Sequence, residues 1–399
     1  MGLSPAFFST PLLRGDGREA RNLLVYIHVP FCRRKCNYCA FHSQPFDDVH
    51  FAWYMKTLMA EIDLWGRRLK SPRIGTVYFG GGTPSLIPPF QLQLIMDALR
   101  RNFTFTSGME ITLEANPDSA NDKAYFQHLL SMGINRLSIG FQSLDDRNLE
   151  TLGRPHSARQ AAETFYMARE AGFGNISVDL IWGLPRQKPK DWNNELKAVV
   201  KLKPEHVSCY GLSIEPGTVF GKRADEGVDL EIPSDDDQAR MFIYGAEFLE
   251  AYGYIQYEIS NFARMGFISR HNQGYWDRMD YLGLGPSAVS TLGSRRFTNP
   301  SYLDEYDAAV RGGYIGEDFE ELTDEIRAQE LVMLTLRTSK GLKLSDYREL
   351  TGKELVKEKN ALINALYRNG LIRMSGGFLR LTKNGMLVSN SILQSLVFD

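Results

Sequence analysis

Cysteine is scarce. Four residues in 399 are too few to staple a chain of this length with disulfides, and no secretory signal accompanies them. Charge of one sign is lacking too: 46 Lys and Arg stand against 48 Asp and Glu, so no basic field draws the chain to nucleic acid. No apolar run reaches the roughly 18 residues that a transmembrane helix needs. Met1-Gly2 opens the chain, but Ala6 stands where a myristoylation signal requires Ser or Thr. The glycine run Gly80-Gly81-Gly82-Thr83-Pro84 lacks the Lys-Ser/Thr pair of a phosphate-binding loop, which argues against a nucleoside triphosphate. These absences leave a protein expected in the cytoplasm with reduced thiols. Its 43% hydrophobic residues suffice for a large core.

Three of the four cysteines fall within eight residues, in Phe31-Cys32-Arg33-Arg34-Lys35-Cys36-Asn37-Tyr38-Cys39-Ala40-Phe41, spaced C-x3-C-x2-C. A loop this short can wrap three thiolates around one face of a cubane cluster. Full ligation of a [4Fe–4S] cluster takes four thiolates, and the position for a nearby fourth holds Phe41. One iron is then open to a substrate or cofactor, as an open zinc position is. The spacing is the hallmark of the radical S-adenosylmethionine (SAM) enzymes, where the amino and carboxylate groups of SAM occupy that iron. A zinc site completed by His28 or His42 competes with this reading, although zinc cysteines usually come as two spaced C-x2-C pairs. Redox-active or merely buried thiols compete with it as well.

Along the chain, residues 1–22 show no periodicity and read as a tail. Leu23 to Val29 is an apolar strand that delivers the cysteine loop. Leu58, Ile62, Trp65 and Leu69 recur at helical spacing and predict a helix over 48–69. The alternation continues with strands expected at 75–80, 110–115, 135–140, 176–182 and 206–213, and helices near 89–101, 119–132, 157–172 and 189–201. Six β–α units predict an α/β fold, a parallel sheet curling into a partial (β/α)6 barrel over 23–235. Residues 236–320 read as an extension of it. Residues 321–399 read as a small winged-helix-like α+β domain, with helices near 323–338 and 354–369, strands at 371–374 and 378–381, and a helix after Thr382.

Barrel chemistry sits at the C-terminal ends of the strands, and the polar motifs fall there. Glu114 suits the ammonium group of SAM, or caps a helix. Gln142 offers an amide that donates and accepts. Arg154 can clamp a carboxylate through a bidentate pair, or lie solvated on the surface. Asp179 interrupts an apolar strand, where an unpaired carboxylate is costly, and is better read as an acceptor for ribose hydroxyls. The consecutive glycines bring backbone close to a ligand, or simply make a turn. Cys209, within a strand, reads as a small buried hydrophobe.

From about Leu23 to its C-terminus the chain resembles the radical-SAM family that contains oxygen-independent coproporphyrinogen III dehydrogenase and a haem-chaperone branch. The resemblance implies that Cys32, Cys36 and Cys39 bind the cluster. Tyr26, Tyr38, Gly81, Gly82, Thr83, Glu114, Gln142, Arg154, Asp179 and Ser213 would bind cofactor. The decarboxylating enzyme continues C-x3-C-x2-C with one residue and a fourth cysteine. Phe41 at that position resembles the chaperone branch, as do Tyr257-Glu258-Ile259-Ser260-Asn261-Phe262-Ala263 and His271-Asn272-Gln273-Gly274-Tyr275-Trp276. The second segment joins a potential axial haem ligand, His271, to aromatic faces that can stack on a porphyrin. On its own, a histidine beside two aromatics is more often structural.

One departure is Val289, at a position where the family commonly carries His. The resemblance implies a [4Fe–4S] cluster, SAM and haem as cofactors, and a haem or porphyrin, a haem-accepting protein and a small electron-transfer protein as partners. Nucleic acid is not expected: residues 321–399 hold 12 Lys/Arg against 9 Asp/Glu. Two readings stand. One is a haem-handling protein that passes haem to acceptors. The other is an oxidoreductase that cleaves SAM reductively and acts on a porphyrinogen or another small molecule.

Overall fold

The computed structural model describes residues 22–397, so the expected tail lies, but for Asn22, outside the described residues. Six parallel strands lie side by side in chain order: β1 (Leu23–Val29), β2 (Arg73–Gly81), β3 (Thr104–Ala115), β4 (Arg136–Gln142), β5 (Ile176–Trp182) and β6 (His206–Gly211). The connecting helices are α1 (Asp48–Leu69), α2 (Pro89–Asn102), α3 (Lys123–Ser131), α4 (Ala158–Ala171) and α5 (Pro189–Leu202). Strands covered on both faces read as near-continuous apolar runs. In β4 every residue but the last is buried.

The predicted stripe of α1 is the buried one, with Leu58, Ile62, Trp65 and Leu69 turned to the core. Fully burying such side chains contributes about 1.5–3 kcal/mol each. Asp47 caps the helix by accepting from the Val49 and His50 amides, and the Lys70 backbone in the left-handed region ends it. Ser157 and Gln160 form a capping box at the start of α4.

The barrel is partial, because the edge strands pair outward instead of with each other. Beyond β6 lies β7 (Asn261–Ala263), antiparallel to it, and beyond β1 lies β8 (Tyr281–Leu284), parallel to it. A hairpin of β9 (Val289–Leu292) and β10 (Arg295–Thr298) extends the β8 edge. This extension is pinned to α1 by Glu61, which is buried and accepts from the Tyr306 hydroxyl (2.6 Å), the Gly285 amide (2.7 Å) and the Asn299 amide (2.8 Å).

The C-terminal module has its own core around Leu331, Leu342, Ile363 and Leu379, and a three-stranded antiparallel sheet. The helix expected over 354–369 is two, Leu355–Glu358 and Asn360–Arg368, and a further helix, Leu344–Thr351, precedes them. The module docks through a bridge between Glu258 and Thr338. Among the described residues no helix is long and apolar enough to cross a membrane.

Candidate functional site

The cysteine loop leaves the end of β1 and is tied down on several sides. Gln44 and Phe46 amides donate to the carbonyls of Pro30 (2.8 Å) and Cys32 (3.0 Å), and the Asn37 amide to that of Leu152 (2.9 Å). The glycine run serves this anchorage. A Cβ on Gly82 would stand 2.5 Å from the Phe31 carbonyl oxygen, so only glycine lets the end of β2 lie against the root of the loop. Gly81 and Gly82 also line the cavity that the loop overhangs.

Cys32, Cys36 and Cys39 all line that cavity, of about 510 Å³. Their thiols are free, and hydrogen bonds link two of them to the surrounding side chains. The Thr83 hydroxyl donates to Cys32 Sγ at 3.5 Å, and the Asn116 amide donates to that hydroxyl at 3.1 Å. Arg154 Nη2 donates to Asn116 Oδ1 at 2.7 Å, while its Nη1 reaches Cys36 Sγ at 3.4 Å. Donors aimed at sulfur tune the potential of a bound cluster. Among the described residues no three His, Cys, Asp or Glu side chains gather tightly enough to hold a single metal ion. Three soft thiolates lining one cavity are the donor set that an iron–sulfur cluster would take.

Arg154 follows the short helix Asp146–Leu152, which ends on Gly153 with φ +72°. Asn37 of the cysteine loop donates from its side chain to the Thr151 carbonyl (2.9 Å), so loop and guanidinium are positioned together. Arg154 Nε is buried and has no partner. A guanidinium that holds the Cys36 thiol and keeps one donor unspent suits an anionic ligand.

Glu114, Gln142 and Asp179 face the same cavity. Tyr78 donates its hydroxyl to Glu114 (2.8 Å). Burial first, and the Asp179 charge after it, push the Glu114 carboxyl up to about 7. Asp179 accepts three serine hydroxyls, from Ser138 (2.8 Å), Ser177 (2.9 Å) and Ser208 (2.7 Å). A carboxylate has about four acceptor sites, so roughly one remains for a ligand hydroxyl. Ser177 spends its proton on Asp179 and therefore accepts from His206 Nδ1 (2.8 Å), which fixes that buried imidazole as the neutral tautomer.

Gln142 stands at a register shift between β4 and β5 and holds φ +65°. A bulge re-aims a side chain, here into the cavity. Gly140 makes room for it, since a Cβ there would meet Gln142 Nε2 at 2.7 Å. Tyr38 and Ser213 complete the lining. Asn116, Tyr78 and the three serines carry no motif that marks them in the sequence. Asn116 shares the Leu113-Glu114-Ala115-Asn116-Pro117 segment with Glu114, and that proximity is its one signal.

Two expected residues are not brought into this cavity. Tyr26 lines a second one, and its hydroxyl meets His28 Nδ1 (3.1 Å). His271 lines neither cavity. It is 1% exposed, with Nδ1 on the Thr76 hydroxyl (2.7 Å) and Nε2 on the Tyr275 hydroxyl (3.0 Å), and its ring stacks on Tyr78 at 5.0 Å. Burial lowers its pKa to about 3, so it is neutral with both nitrogens engaged. The expected axial-ligand role finds no open nitrogen in this arrangement. His271 instead holds Tyr275, which does line the second cavity.

The profile of the radical SAM superfamily matches residues 26–199, and that of the HemN C-terminal domain matches 322–388. The heme chaperone HemW of Bacillus subtilis is 35% identical over 92% of this chain and 97% of its own. The Mycobacterium tuberculosis protein of the same name is 33% identical over 94% of each chain. A Bos taurus protein, radical S-adenosyl methionine domain-containing protein 1, mitochondrial, is 34% identical over 94% of this chain and 87% of its own. Among solved structures, coproporphyrinogen III oxidase (HemN) from Escherichia coli, described as a radical SAM enzyme, superimposes with a TM-score of 0.82. It is 25% identical, with 95% of this chain and 90% of that one covered.

Proposed function

The chain belongs to the heme chaperone HemW family of radical SAM proteins, and from that premise we propose that it binds a [4Fe–4S] cluster, SAM and haem and passes haem to acceptor proteins. The observation that carries the cluster and SAM part is the shared cavity: three cysteines, Arg154, Glu114 and Asp179 all line it. Phe41 stands where the decarboxylating branch has its further cysteine, which favours the chaperone over the oxidoreductase.

In this reading Cys32, Cys36 and Cys39 hold the cluster, which supplies one-electron chemistry when bound. Arg154 takes the SAM carboxylate, and Glu114 in its ionised form takes the ammonium. The remaining acceptor site of Asp179 takes a ribose hydroxyl, with Gln142 and Ser213 beside it. Leu152, Ile181, Leu184 and Phe220 form an apolar cluster with Tyr38 packed on it, and Ile181 and Tyr38 carry its surface into the cavity. Arg33, Arg34 and Lys35 stand exposed on the loop and suit an acidic electron-transfer partner. Reduced cysteines suit the cytoplasm.

The test is a turnover assay on anaerobically reconstituted protein with SAM, a reductant and coproporphyrinogen III. The proposal expects no protoporphyrinogen IX. Efficient conversion would move the chain to the oxidoreductase reading.

A further inference from the structure

A second cavity, of about 640 Å³, lies across Phe41 from the first; Ala40 and Phe41 line both. That volume falls within the range of built small-molecule sites, roughly 300–1,000 Å³. Its surface is mainly apolar and aromatic. Tyr26, Tyr275 and Tyr281 line it, and Tyr275 meets Tyr281 edge-on at 4.8 Å and 85°. Aromatic side chains that offer both a ring face and a ring edge suit a large aromatic ligand. The first helix of the C-terminal module, Asp324–Thr335, closes one side through Arg327, Glu330 and Met333. Arg278 and Arg296 join Arg327 against two carboxylates, Glu330 and Asp280, so cations are in excess. Arg296 is paired with Glu330 and Arg327 with Asp324, and a ligand carboxylate would share these guanidinium groups.

Two imidazoles line the cavity, and only one has a nitrogen to give. His28 is buried, with Nδ1 on the Tyr26 hydroxyl and Nε2 donating to the His42 carbonyl at 2.9 Å. His42 is half-buried, and the Ser301 backbone lies near its imidazole. A histidine ligand commonly donates its other ring nitrogen to a carbonyl, which fixes its tautomer and orientation. Burial, and Lys35 after it, lower the His42 pKa, which keeps the imidazole in the neutral form that binds metal.

We propose that this cavity binds a planar iron tetrapyrrole bearing carboxylates, with His42 as its iron ligand and Tyr275 and Tyr281 as its wall. The assignment rests on the haem reading above and gives it a place. It also gives His271 a positioning role: Thr76 holds the imidazole, and the imidazole holds the Tyr275 hydroxyl and through it the ring that faces the ligand.

The experiment is a visible-absorption titration of ferric haem into the reconstituted full chain and three variants, with SAM affinity and iron content measured on each. His42→Ala should weaken haem binding by about tenfold or more, shift the Soret band, and recover the original spectrum on addition of free imidazole. Val289→Trp, which fills the cavity from the β9 hairpin, should lower affinity without changing the ligand signature. His271→Ala should weaken binding while keeping the wild-type band position. SAM affinity and iron content should hold in all three. Haem bound by His42→Ala and Val289→Trp with wild-type affinity and spectrum would overturn the location and leave the haem reading standing. Failure of the wild type to bind haem would overturn both.

Discussion

Arg154 is the residue on which cluster loop and cofactor pocket converge, and its replacement by alanine has a calculable outcome. Its Nη2 donates to Asn116 Oδ1 at 2.7 Å and to the Gly140 carbonyl at 3.2 Å, its Nη1 to Cys36 Sγ at 3.4 Å, and its Nε has no protein partner. Hydrogen bonds to charged groups contribute about 1.5–3 kcal/mol. Removing the one to the SAM carboxylate should weaken SAM binding by roughly 10- to 150-fold. Arg154→Lys keeps the charge but loses the fork. It cannot reach Cys36, Asn116 and ligand together, so it should recover only part of the loss. The assay is calorimetric titration of SAM into the anaerobically reconstituted protein, with the thermal midpoint as a check on the fold. Unchanged SAM affinity in a folded Arg154→Ala would refute the assignment of the guanidinium to the cofactor carboxylate.

Cys36→Ala should lose most of the four irons and four sulfides expected on reconstitution; stoichiometric zinc without sulfide in the wild type would contradict the cluster. Glu114, with its pKa raised to about 7, is largely protonated at pH 6 and ionised at pH 8. Because the ammonium needs the carboxylate, SAM affinity should rise with pH by up to about tenfold per unit below that value and level off above it. Glu114→Gln should flatten the profile, and calorimetry across pH 6–8 reads it. Leu58, fully buried on α1, should cost about 2–5 kcal/mol of stability when cut to alanine. Denaturant unfolding should show a lower midpoint at unchanged slope.

The six-strand barrel was legible because its segments are long and periodic. Helix α1 falls on the bounds its stripe predicts, and β5 on those of its apolar run. The extension was not, since strands such as Asn261–Ala263 and Tyr281–Leu284 are too short to show alternation. Strand β3 begins at Thr104, before the expected 110, because its first half is largely exposed and carries little apolar signal. The helix expected over 354–369 breaks at Lys359, where the sequence holds neither Gly nor Pro to announce it.

At the site, residue types at strand ends picked out side chains that line one cavity, but orientation did not show. The bulge that turns Gln142 inward leaves no mark in composition. Nor could spacing tell that His271 would be enclosed by Thr76 and Tyr275 while His42, considered only as a zinc ligand, would face open space.

The central claim is that this chain carries haem to other proteins. The most direct measurement loads the reconstituted protein with one equivalent of haem, mixes it with an apo-haem protein, and follows the two Soret bands after separation. The account predicts that haem leaves the loaded protein for the acceptor and that no porphyrinogen is converted. Haem retained indefinitely or never bound, together with decarboxylated porphyrin product, would contradict it.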